Sequence, residues 1–166
     1  MKLSELNALC DKQAYQEFEH CCVAPNWVEG MIKARPFISV NAVYSTAELL
    51  WSILKEDDYL AAFQGHPEIG DVSTLRAKFA ATASKASHEQ SGMSQASDTV
   101  LHQMMALNQA YKEKFGFIFI VCATGKSAEQ MLAMIEQRIE NDRDTELAIA
   151  ANEQAKITRI RLENLL

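Results

Sequence analysis

"FIFIVCA", residues 117–123, decides the fold class, because it is the one stretch that reads as a strand. It is apolar, β-branched and aromatic, and too short for an independent helix. No second run pairs with it, so no sheet is expected. Its backbone groups still need partners, since buried amides are rarely left unpaired. A lone extended segment in a helical protein is therefore a candidate to offer backbone groups to a ligand.

Outward from it, helical period dominates. Upstream, Leu101, Met104, Met105, Asn108, Tyr111 and Phe115 form one face of a helix begun by Ser97 or Asp98 and stopped by Gly116. Downstream, Ser127 with Gln130 predicts a capped helix carrying Met131, Leu132, Ile135 and Ile139, ended by Asn141 and Asp142. Thr145 is the expected cap of a last helix whose face runs Leu147, Ala150, Gln154, Ile157, Arg161 and Leu165. Towards the N-terminus, Leu3, Leu6, Leu9, Tyr15, Phe18 and Cys22 recur at helical spacing. Asn26 is a candidate cap for a short helix closed by Pro36, and Ser45 with Glu48 reads as a capping box. Asp57 or Asp58 is the candidate cap of the next helix, and Ser73 or Thr74 of the one after. The expected class is all-α: a single-domain helical bundle over 1–166 with one short buried extended segment near 117–123.

The chain has 166 residues and a formal charge of −6. That length buries roughly 70% of the unfolded surface, enough to fold without staples. The negative balance, with no cluster of Lys and Arg, argues against nucleic acid as a partner. No run approaches a membrane span, and "MKLSELNALCDKQ" turns polar too early for a signal peptide. Cys10, Cys21, Cys22 and Cys122 have no CxxC spacing and read as reduced thiols of a cytoplasmic protein.

Several stretches invite chemistry and lose it on inspection. "ATGKSAEQ" at 123–130 resembles the end of a phosphate loop, but the glycine required five residues before Gly125 is Ile120. "HCC" at 20–22 offers soft-metal ligands, yet neighbours on a helix point about 100° apart and cannot converge. His102 sits on the outer face of its helix.

Three features hold more. In "FQGHPEIGD", residues 63–71, Pro67 ends the helix and stiffens the backbone at His66, and Gly65 and Gly70 permit sharp turns on either side. An imidazole so presented suits proton transfer near neutrality; the competing reading is a capping or core histidine. Arg161 stands between Ile157 and Leu165 on an apolar face, where a guanidinium wants a carboxylate or another planar anion. An internal pair with Glu89 or Glu68 would satisfy it equally. Glu89 and Gln90 lie in a break between helices, as a solvated pair or as a carboxylate orienting His66 with an amide reading a ligand.

Together, "PNWVEGMIKARPF", "FQGHPEIGD", "EQSGM", "LNQAYKEKFGFIFIVCATGKS" and "RIENDRDTELAIAANEQAKITRIRL" resemble the OHCU decarboxylases in order and spacing, over nearly the whole chain. OHCU is 2-oxo-4-hydroxy-4-carboxy-5-ureidoimidazoline, an intermediate of urate breakdown. The resemblance implies an all-α homodimer, with no metal or organic cofactor, that converts OHCU to (S)-allantoin and CO2. It puts the catalytic groups on His66, Glu89 and Arg161. Substrate contacts fall on Pro67, Gln90 and the backbone of Ile118, Ile120 and Cys122. The family often has a serine three residues before the glutamate; here that position is Ala86, so the contact is either absent or shifted one residue to Ser87.

Two other classes compete. A helical binding module that has lost catalysis would pack without His66, Glu89 and Arg161. A metal-dependent hydrolase would need more histidines, at closer spacing, than the 4 present.

Overall fold

The Ser97 hydroxyl accepts from the Val100 N–H at 3.3 Å and opens a helix over Asp98–Phe115, which Gly116 ends at φ +80. Side chains disfavour that left-handed conformation, so glycine stops the helix where expected. The computed structural model describes residues 1–68, 73, 76–77 and 97–166. Their helices are α1 Leu3–Ala8, α2 Asp11–Cys21, α3 Pro25–Ala34, α4 Val40–Ser52, α5 Glu56–Gln64, α6 Asp98–Phe115, α7 Ala128–Arg138 and α8 Arg143–Leu165. No strand occurs among the described residues, and the fold is all-α. Nor is any helix among them long and apolar enough to cross a membrane.

Helix starts depart from expectation where several cap-forming residues compete. Pro25 occupies the first turn of α3, so the cap is Ala24, and Asn26 donates to Asp58 Oδ1 at 2.7 Å instead. The helix α4 already begins after Ser39, whose hydroxyl accepts from Ala42 N–H at 3.0 Å. Ser45 is thus inside the helix, bonding back to Asn41 O at 2.9 Å, and the expected box with Glu48 does not form. Asp58 stands one turn inside α5 and accepts from Lys55 N–H at 3.0 Å. Asp142 rather than Thr145 starts α8: its carboxylate accepts the Thr145 N–H at 2.7 Å, a bond that holds the acid below its usual range. Ser127 and Gln130 do form the reciprocal box, at 3.2 and 2.8 Å. Of the helix expected from Ser73 or Thr74, only Ser73, Arg76 and Ala77 are described, and they are helical; the rest lies outside the described residues.

The chain divides into two compact units, one of Met1–His66 with Ala151–Leu166 and one of Pro67–Ala150. In the first, Trp27 and Phe37 meet Phe18 edge-on, with ring centres 6.2 and 6.5 Å away. The Trp51 indole donates to Ala151 O at 2.9 Å. The N-terminal period breaks between α1 and α2, where Arg35 gathers the carbonyls of Leu6 and Leu9 at 3.1 and 2.7 Å. Those are helix-end carbonyls with no partner inside α1.

In the second unit, Tyr111, Phe115 and Phe117 form the aromatic core. The "FIFIVCA" segment is neither helix nor strand, and buries Phe117, Ile120 and Cys122. Side chains replace a sheet partner: Arg138 Nη1 donates to Ile120 O at 2.8 Å and Lys126 Nζ to Cys122 O at 2.7 Å.

The face of α8 is rotated from the expected one. Its buried stripe is Glu146, Ala150, Ala151, Glu153, Gln154, Thr158 and Leu162, while Leu147, Ile157, Arg161 and Leu165 are half-buried. Hydropathy misplaces the stripe because much of it is polar.

Candidate active site

The site is built from the end of α5. Gly65 follows the helix with an ordinary backbone, φ −73, so its lack of a side chain has another cause. A Cβ there would lie 2.3 Å from Val23 Cγ2, and the helix end could not settle so closely on that residue. This approach fixes His66, whose N–H closes on Phe63 O at 3.2 Å. His66 is half-buried; Pro67 after it is exposed.

The imidazole reaches α8. His66 Nε2 is 2.5 Å from Gln154 Oε1, and Gln154 Nε2 donates to Thr158 Oγ1 at 3.1 Å. Gln154 is 1% exposed, so this amide is held by its partners and not by water. Arg161 projects from the same helix. It is half-buried and donates to Cys21 O at 3.3 Å. Residues 154, 158 and 161 follow helical spacing, so they share one side of α8 over roughly 10 Å of axis.

The internal acid expected for Arg161 is not Glu68, which pairs with Lys112. Among the described residues no carboxylate lies within ion-pair distance of Arg161. Its charge faces the Cys21 and Cys22 thiols, which burial nevertheless pushes up to about 12 and about 11. Both are therefore neutral thiols, unsuited as nucleophiles or metal ligands near neutrality. His20 beside them is exposed, and among the described residues no group of three His, Cys, Asp or Glu could hold a metal. His102 is exposed, as expected.

Of the other expected site residues, Glu89, Gln90 and Ser87 lie outside the described residues. Ile118 is half-buried, and the carbonyls of Ile120 and Cys122 are engaged by Arg138 and Lys126. Sequence reasoning missed Gln154 as the partner of His66, and Thr158 behind it. The available signal was a Gln and a Thr four residues apart in a helix rich in alanine.

Comparison with known proteins places this geometry. The family model described as OHCU decarboxylase matches residues 7–163. The uric acid degradation bifunctional protein TTL of Arabidopsis thaliana is 33% identical over 90% of this chain. The match takes in 46% of that protein, so the chain spans about half the length of this curated relative. The 2-oxo-4-hydroxy-4-carboxy-5-ureidoimidazoline decarboxylase of Amia calva is 30% identical, with 100% of this chain and 95% of the relative covered. Among solved structures, a crystal structure of OHCU decarboxylase in the presence of (S)-allantoin superposes with a TM-score of 0.73. It is 33% identical and covers 90% of this chain and 96% of its own.

Proposed function

The chain belongs to the OHCU decarboxylase family, and from that membership we propose that it converts OHCU to (S)-allantoin and CO2 in urate breakdown. The carrying observation is the family match over residues 7–163, with 33% identity to a decarboxylase crystallised in the presence of (S)-allantoin. We read residues 1–166 as one catalytic domain, acting as a cytoplasmic homodimer.

The chemistry asks little of a cofactor. The carboxylate leaves from C4, beside the C5=N bond, and that bond takes up the electron pair. An enol form of allantoin results, and the face on which C5 is protonated sets the product's hand. In this reading His66 contacts the C4 hydroxyl or carboxylate and carries proton traffic with it. Glu89 orients the imidazole. Arg161 clamps substrate oxygens with a charged, forked donor, and its lack of a described acid partner supports that role. The family resemblance assigns further substrate contacts to Pro67, Gln90, Ser87 and the backbone of Ile118, Ile120 and Cys122. The carbonyls of Ile120 and Cys122 already accept from Arg138 and Lys126, and the backbone N–H groups are what the segment can donate to substrate. Each well-placed donor contributes about 2–4 kcal/mol to lowering the barrier.

The test is circular dichroism of the product when the protein meets freshly generated OHCU, with a chelator present. A fast rise of the (S)-allantoin signal supports the reading. A slow, optically silent decay identical to the protein-free control sinks it and favours a binding module.

A further inference from the structure

Gln154 hydrogen-bonds the His66 ring, and the family resemblance gives it no role, although it lies within the closing motif. It is 1% exposed, so the orientation of its amide is dictated by its neighbours. One end meets His66 Nε2 at 2.5 Å; the other meets Thr158 Oγ1 at 3.1 Å. The Thr158 hydroxyl is also in hydrogen-bonding contact with the Cys22 thiol. Thr158 accepts from the Gln154 amide N–H. The Gln154 carbonyl is then the end that faces the imidazole, and a carbonyl can only accept. His66 Nε2 must carry a hydrogen.

We propose that Gln154 is a positioning residue that holds the proton on His66 Nε2, so that the working nitrogen of the catalytic imidazole is Nδ1. This rests on the decarboxylase reading and deepens it. A neutral imidazole has one donor and one acceptor nitrogen, and the partner of the first decides which is the second. With Nε2 fixed as donor, any exchange of a proton with substrate or with Glu89 passes through Nδ1. The relay Cys22–Thr158–Gln154–His66 runs from α2 to α5 by way of α8. The bond to Thr158 fixes the orientation of the Gln154 amide and with it the end that faces the imidazole. A merely space-filling residue would not do this: leucine has nearly the volume of glutamine and no acceptor.

The experiment is nitrogen-15 NMR of the imidazoles in the full chain, with His66→Gln as the assignment control, at a pH where the ring is neutral. Wild type, Gln154→Leu and Gln154→Glu are compared, and kcat for OHCU is measured on the same samples. In wild type the proton-bearing signal is expected at Nε2 and the lone-pair signal at Nδ1. Gln154→Glu keeps an acceptor and is expected to keep that pattern. Gln154→Leu is expected to mix the two tautomers and to lower kcat roughly tenfold to a hundredfold, within what acid–base positioning contributes. A proton found on Nδ1 in wild type overturns the proposal, and so does a Gln154→Leu spectrum like that of wild type. If wild type fails to turn over OHCU while the NMR pattern stands, the decarboxylase reading falls and the assignment of Nε2 survives. Far-ultraviolet dichroism of each variant identifies any that fails to fold, and Gln154→Glu then carries the comparison.

Discussion

Arg138 and Glu146 form a buried ion pair in the Pro67–Ala150 unit, 2.5 Å apart and only 6% and 0% exposed. Tyr111 donates to the same carboxylate at 2.7 Å, and Asn141 to its second oxygen at 3.1 Å. Arg138 lies over the Phe119 ring at 4.5 Å while its Nη1 holds Ile120 O. The pair thus ties α7 and α8 to the non-helical segment. Burial pushes the Tyr111 phenol above its usual range, and the hydrogen bond to Glu146 pushes the same way.

Arg138→Met leaves the Glu146 charge buried without its counter-ion and should cost about 3–5 kcal/mol of stability. Removing both charges, as Arg138→Met with Glu146→Leu, should cost less than the sum of the single changes. Urea denaturation of the four proteins measures the coupling. Additive losses would mean that the pair is not a unit.

Gly65→Ala should destabilise the chain by about 1–3 kcal/mol, because the new methyl meets the stiff, β-branched Val23 at 2.3 Å. Val23→Ala should relieve most of that loss in the double variant. A Gly65→Ala protein as stable as wild type would show that α5 ends elsewhere.

The buried thiols set an alkaline limit. Unfolded cysteines ionise near 9.0, whereas folded Cys22 and Cys21 hold their protons to about 11 and about 12. Between those values the unfolded chain binds fewer protons than the folded one, so stability falls as pH rises. The contribution is complete below 9.0 and lost by about 12. Denaturation at stepped pH should show this slope flattened in Cys22→Ala. Native protein should also yield one fast thiol to a disulfide reagent, the exposed Cys10.

His66→Ala should lower kcat more than about a hundredfold, the scale of a lost acid–base group. Arg161→Lys keeps the charge and loses the fork, so kcat/KM should fall roughly tenfold or more, chiefly through KM. Steady-state kinetics on fresh OHCU separates the two. Near-normal turnover in His66→Ala would remove the histidine from the mechanism.

What the sequence by itself determined is whatever depends on residues within about one turn of each other. Gly116 stops α6, Ser127 boxes with Gln130, Pro67 stiffens the end of α5, and "FIFIVCA" can be neither a useful helix nor half of a sheet. The ordered motifs around His66 and Arg161 also identify the family without coordinates. Only the tertiary structure decided what depends on distant partners. Ser45 and Thr145 read as caps because a cap is a local competition among similar side chains, and Ser39 and Asp142 win it. Gly65 looked like a turn residue and is instead a contact with Val23, 42 positions away (65 − 23). Part of the buried face of α8 escaped hydropathy because Glu146, Glu153 and Thr158 are on it, whereas Ala150 and Gln154 lie on the expected face. Such residues count as exposed until their partners are known; for Gln154 the face was legible and the partner, His66, 88 positions earlier, was not. Burying a polar group costs free energy unless it is hydrogen-bonded, so periodicity can put Gln154 on a buried face while only the tertiary structure supplies the partners that make its burial possible.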